Sequence, residues 1–158
     1  MKKIVLLSIM WFAYVLLHSQ IIYTTGPNVY TCKNGVIETI KPDRELNSQE
    51  LDAIDYALFN SNGQYFFLKI TTSDIVSART SYYNCHAYAW HLTEGNTNKV
   101  WINQYAQNGG NNLSKYWDPN VGCFAETSEA LAEKIFYPSG DHSAVKSSVS
   151  GKYESKWG

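Results

Sequence analysis

The chain has 158 residues, 13 of them basic and 14 acidic, with a net charge of −1 and 44% hydrophobic residues. That length suits one domain with its own core. The charge balance excludes the basic footprint of a nucleic-acid or anionic-membrane binder, and the apolar content excludes a disordered chain.

In chain order, Lys2 and Lys3 precede an apolar run from Ile4 to Leu17, and polar "HSQ" follows. The run is shorter than the roughly 20 residues that span a bilayer, but it suits the core of an export signal. Residues 1–19 are therefore expected to be a signal peptide cleaved after Ser19, with an uncleaved anchor as the competing reading. The remainder, 20–158, has no second long apolar run. It is expected to be a secreted, periplasmic or cell-envelope protein without a stable membrane span.

Export changes how the three cysteines, Cys32, Cys85 and Cys123, are read. Thiols tend to pair outside the cytoplasm, and an odd count leaves one over. A Cys32–Cys123 link is the pairing that frees Cys85. Three reduced, buried cysteines fit the sequence as well.

"VYTCKNGVIETI" predicts a hairpin with Asn34-Gly35 as its tight turn. "NSQELDAIDYALFNSNG" predicts a helix capped by Asn47 or Ser48, and "QYFFLKI" a strand. Residues 71–83 are polar and loop-like. "YNCHAYAWHL" predicts a helix, with Thr80 or Ser81 as its cap and Cys85 in its first turn. Residues 103–120 form a long Asn/Gly-rich loop of the kind that often lies over a site. "ETSEALAEK" predicts a short helix capped by Thr127 or Ser128. "IFYPSGDHSAVKSSVSGKYESKW" predicts three strands joined by two turns. Helices come early and a meander late, so the fold class is α+β.

Cys85 is the candidate nucleophile, because a helix N-terminus favours the thiolate. A nucleophilic cysteine also needs a base. On a helix, His86 points about 100° away from Cys85, and His91 lies two turns down. His142, at the start of a predicted strand, is the better base. Taken singly, an isolated cysteine is usually a small buried hydrophobe and an isolated histidine a satisfied polar residue. The helix-tip cysteine, the strand-start histidine and the export signal, taken with the family resemblance that the same residues carry, favour a catalytic pair.

"YNCHAYAWH", then "DHSAV", then "SKWG" resembles a group of exported bacterial proteins with a papain-like fold. That group is related to the NlpC-type and CHAP-type cysteine amidases and peptidases. The likeness covers residues 80–158 and leaves 20–79 as an N-terminal extension. It implies a papain-like domain in which a cysteine at a helix N-terminus packs on an antiparallel meander. The Cys85-to-His142 separation of 57 residues (142 − 85) suits the compact NlpC layout. Similar proteins run on past the position of "SKWG", so the resemblance implies a C-terminally truncated chain. It further implies a polar residue about a dozen positions after the histidine that steadies the imidazole. A hairpin centred on Ser148 puts Glu154 opposite His142, and Glu154 is the residue expected in this role; a turn using Gly151 would shift the register and offer Ser155 instead.

The expected function is a secreted cysteine hydrolase, an amidase or peptidase. Its expected partner is a peptide or peptidoglycan-like substrate, and neither cofactor nor metal is expected, since Cys85, His86 and His91 lack zinc-site spacing. The alternative is a catalytically inactive secreted binding module on the same scaffold. In either case Tyr82, Tyr83, Trp101, Tyr105, Tyr116 and Trp117 are candidates to line a groove, with packing as the plainer role for at least half of them.

Overall fold

The computed structural model describes residues 21–52, 80–138 and 141–156. The export segment, most of the helix predicted after Asn47, the "QYFFLKI" strand and the 71–79 loop lie outside the described residues, as does the end of "SKWG".

Helices and sheets are both present, in the order of an α+β protein. The strands are β1 (Tyr23–Thr25), β2 (Val29–Tyr30), β3 (Val36–Ile37) and β4 (Thr39–Pro42), then β5 (Trp101–Ile102), β6 (Lys134–Tyr137), β7 (His142–Lys146) and β8 (Tyr153–Glu154). Helix α1 (Cys85–Trp90) falls between β4 and β5. One sheet runs β1-β4-β5, a second is the β2-β3 hairpin, and the third is the predicted meander β6-β7-β8.

The hairpin differs in its turn. Val29 pairs with Ile37 and Tyr30 with Val36, which leaves residues 31–35 as the loop. Thr31 closes it: its backbone accepts from Asn34 N–H and its hydroxyl from Gly35 N–H. Asn34 takes a positive φ of 63°, as asparagine does more readily than most residues, but inside a longer loop than a two-residue turn. Cys32 in this loop forms a disulfide with Cys123, with α-carbons 6.0 Å apart. Gly122 makes that approach possible, because a Cβ there would run into the carbonyl oxygens of Tyr116 and Lys115.

One core serves the whole described chain. Val29 and Ile37 from the N-terminal hairpin pack with Ala87, Ala89 and Trp90 of α1, and with Val100, Ile102, Leu113 and Tyr116. β4 of the expected extension pairs with β5 of the second half, Thr39 opposite Ile102. Residues 21–46 are thus built into the domain.

The 103–120 loop is structural. Its Asn112 is fully buried. The Asn112 amide donates to the Glu38 and Asn103 carbonyls and accepts from Glu38 N–H. The "ETSEALAEK" helix shrinks to a single 3-10 turn, Glu129–Leu131, and neither candidate serves as its cap: Ser128 sits at the cap position without a capping side-chain bond.

Candidate functional site

Asn84, not Thr80 or Ser81, caps α1. Its side chain accepts from Ala87 N–H at 3.1 Å and also binds both backbone groups of Ile102 on β5. Thr80 and Ser81 instead grip Glu45: the Thr80 hydroxyl and both the N–H and hydroxyl of Ser81 donate to its carboxylate. Burial works against that charge, but these bonds and the Leu46 N–H hold the carboxyl below its ordinary range. The clamp fixes the chain just ahead of α1.

Cys85 is therefore the first residue of α1, and it is the free cysteine. It is 8% exposed, with its sulfur 4.0 Å from the Asp141 carbonyl oxygen, one residue before His142. Burial pushes the thiol up. N–H groups of Ser143 and His86 oppose the rise, and the Asp141 charge adds to it. The expected thiolate-favouring helix tip is outweighed, because α1 is short and its first residue is enclosed.

His142 opens β7 and is buried. Its Nε2 lies 2.7 Å from the Ser155 hydroxyl, which donates at 2.6 Å to the Ser143 carbonyl. A hydroxyl has one proton to give. With that proton on Ser143, Ser155 accepts from His142, so Nε2 carries the ring proton and Nδ1 keeps its lone pair. Burial first, then the charge of His86, lower the imidazole pKa to about 4.

Glu154 does not meet His142. β7 pairs with β8 as Val145 opposite Glu154 and Lys146 opposite Tyr153. The turn between them uses Gly151 at φ 72°, the register that selects Ser155. Glu154 instead accepts from the Ser147 hydroxyl at 2.5 Å and from the Tyr88 hydroxyl at 3.3 Å.

Sequence reasoning missed two further features. The first is a relay behind Cys85. His86 Nε2 lies 3.0 Å from Asp141 Oδ1, and its Nδ1 lies 2.8 Å from Ser143 Oγ, which also accepts from Trp90 Nε1–H at 2.8 Å. The order Asp–His–Ser has hydrolase connectivity, but Ser143 is fully enclosed, so the relay ties α1 to β7. Asp141 sits at φ 44°, a strained conformation for a non-glycine residue. The second is Lys156, 3% exposed, with its ammonium 5.0 Å from the centre of the Tyr83 ring. Burial lowers its pKa to about 8, while Glu45 and Cys85 pull it back up. Lys156 stands two residues past the end of β8.

His91 bonds Asn98 through Nε2 at 2.8 Å. Among the described residues no cluster of three His, Cys, Asp or Glu is placed to hold a metal ion. The aromatic candidates divide: Tyr116 is core, Trp117 packs on Trp90, Trp101 packs on Tyr23, and Tyr82 and Tyr105 are exposed.

No family model matches the chain, and no curated protein or solved structure matches it either.

Proposed function

We propose that this chain is an exported cysteine hydrolase with a papain-like arrangement, cleaving a peptide or amide bond. Wall peptides are the substrate class implied by the resemblance. The supporting observation is the hydrogen-bond pair through Ser155, which puts the ring proton of His142 on Nε2 at the start of β7, one residue after Asp141, whose carbonyl oxygen lies 4.0 Å from the Cys85 sulfur.

With the thiol pushed up and the imidazole pushed down, the resting pair is neutral. Attack then couples to proton transfer: sulfur bonds the carbonyl carbon as the thiol proton passes to Nδ1. The developing oxyanion takes the Cys85 N–H. His142 returns the proton to the leaving amine, and water then releases the acid from the thioester.

The inactive-module reading has one observation in its favour, the enclosure of Cys85. Alkylation by a small chloroacetamide at neutral pH, with the disulfide intact, separates the two. For the hydrolase, His142→Ala slows labelling of Cys85 tenfold or more. Equal rates in both proteins would leave the binding module.

A further inference from the structure

A groove of about 700 Å³ runs along β6, and Cys85 is not among its lining residues. Every residue from Leu131 to Pro138 lines it, and residues 124–127 form part of its wall. Side chains alternate across a strand. A groove lined by consecutive residues therefore follows the strand's edge rather than one face. Among the described residues, β6 is an outer strand of its sheet.

The floor is aromatic: Trp90, Trp117, Phe124 and Phe136. The rim is acidic, with Glu126, Glu129 and Glu133 all exposed. Lys134, the cation of the lining, is already committed. It pairs with Glu94 at 2.6 Å and donates to Ala89 O and Thr93 Oγ1. Among the described residues, the opening therefore presents uncompensated negative charge over aromatic faces. That combination suits a cation carried on an apolar stem. At one end stands Tyr137, which pairs with His142 across the sheet, their rings 6.4 Å apart.

We infer that this groove binds an extended peptide bearing lysine- or arginine-type side chains, laid along the outer edge of β6 with its cations on Glu126, Glu129 and Glu133. The four residues of β6 give an edge of about 13 Å at ~3.3 Å per residue, enough for about four residues of an added strand. The volume is that of an ordinary ligand pocket, within roughly 300–1,000 Å³. The peptide's course ends at Tyr137, beside the base. Calling the occupant a substrate rests on the hydrolase reading; the binding itself does not.

The test uses the full chain carrying Cys85→Ala, so that turnover plays no part. A short capped peptide of alternating valine and lysine is titrated in, with its valine–glutamate counterpart as control, and backbone amide shifts are followed by NMR. The lysine peptide should shift the amides of Lys134–Tyr137, and the glutamate peptide should not. Replacing Glu126, Glu129 and Glu133 with glutamine should weaken binding about tenfold, as three surface ion pairs predict. Raising salt from about 0.1 M to about 1 M, which shortens screening from ~10 Å to ~3 Å, should weaken it similarly. The inference is overturned by β6 amides that stay still at millimolar peptide, by equal binding of both peptides, or by a triple variant that binds like the parent. None of these outcomes bears on whether Cys85 is a nucleophile.

Discussion

The N-terminal hairpin region and the helix–meander region share one core but are held together differently. Around the hairpin, the ties are covalent or backbone-directed: the Cys32–Cys123 bridge, Thr31 bonded to the Val121 carbonyl, and Asn112 on Glu38. Around α1 and β7, the ties run through groups that titrate: His86 on Asp141 and Ser143, His142 on Ser155, with Cys85 and Lys156 buried close by. The first region is a frame whose main ties carry no titrating group, with Lys33, Lys115 and Glu38 adding charged side-chain bonds at its surface. The second keeps ionisable groups out of water and strains Asp141, an arrangement that costs stability and is common at functional sites.

The sharpest way to break the contrast is to cut the bridge. The disulfide spans a sequence separation of 91, and in the chain-entropy model its loss costs roughly 4–5 kcal/mol. Replacing Cys32 and Cys123 with serine should lower urea stability by up to that amount. Hydrogen exchange should quicken first in β2 and β3, and alkylation of Cys85 should keep its rate. Equal early loss of protection in the β6–β8 meander would show that the two regions are not separable.

Next in size is the joint between them. Asn84→Ala removes a helix cap, worth about 1 kcal/mol, and leaves both buried backbone groups of Ile102 short of a partner, each worth about 1–3 kcal/mol. A loss of about 3–7 kcal/mol is expected. In a domain of this size it appears as a fall in Tm of roughly 9–21 °C. A fall below about 3 °C would mean that water replaces the amide.

The pH response should belong to the second region. His142 has its pKa lowered from 6.5 to about 4 in the fold, so the unfolded chain takes the proton first as pH falls. Stability is full above about 6.5 and drains away as pH drops through about 4, by roughly 2 kcal/mol for a partly hydrated ring. His86, also lowered by burial, acts in the same direction. Glu45, held below its ordinary 4.5, contributes stability above that value and loses it only at lower pH. Thermal melts between pH 7 and pH 4 should therefore show a shallower slope for His142→Gln than for the parent. Equal slopes would place the pH sensitivity elsewhere.

How far the sequence foretold this arrangement depends on whether the deciding force was local. The Asn47 cap was legible because it is a neighbour effect: Asn47 Oδ1 accepts from Gln49 and Glu50 N–H while Glu50 returns a bond to Asn47 N–H. The three strands of the meander were legible for the same reason, but not the register of its last turn, where Gly151 at φ 72° replaces the expected Ser148-centred hairpin that would have put Glu154 on His142. The position of Cys85 at the start of α1 was legible too, but not its protonation, because enclosure by β7 is a tertiary fact. The β4–β5 pairing, the Asn84 link to Ile102 and the Glu45 clamp on Thr80 and Ser81 join residues 18 to 63 positions apart. No local pattern announces them.

The smallest effect sharpens the contrast within the site. Two neighbouring residues, Glu154 at the end of β8 and Ser155 just past it, were candidates to steady the imidazole, and geometry separates them. Ser155 bridges His142 Nε2 and the Ser143 carbonyl, so Ser155→Ala removes the acceptor that keeps the ring proton on Nε2. One such bond is worth about 1 kcal/mol, roughly a fivefold change in rate. Alkylation of Cys85 should therefore slow about threefold to tenfold in Ser155→Ala, and Ser155→Thr should restore much of the rate by keeping the hydroxyl. Glu154→Gln should leave the rate unchanged, since Glu154 bonds Ser147 and Tyr88 and not the ring. The reverse pattern, slowing with Glu154→Gln and none with Ser155→Ala, would mean that the strand register shifts by one residue when the site is at work. A rate unchanged in both would take the imidazole out of the chemistry.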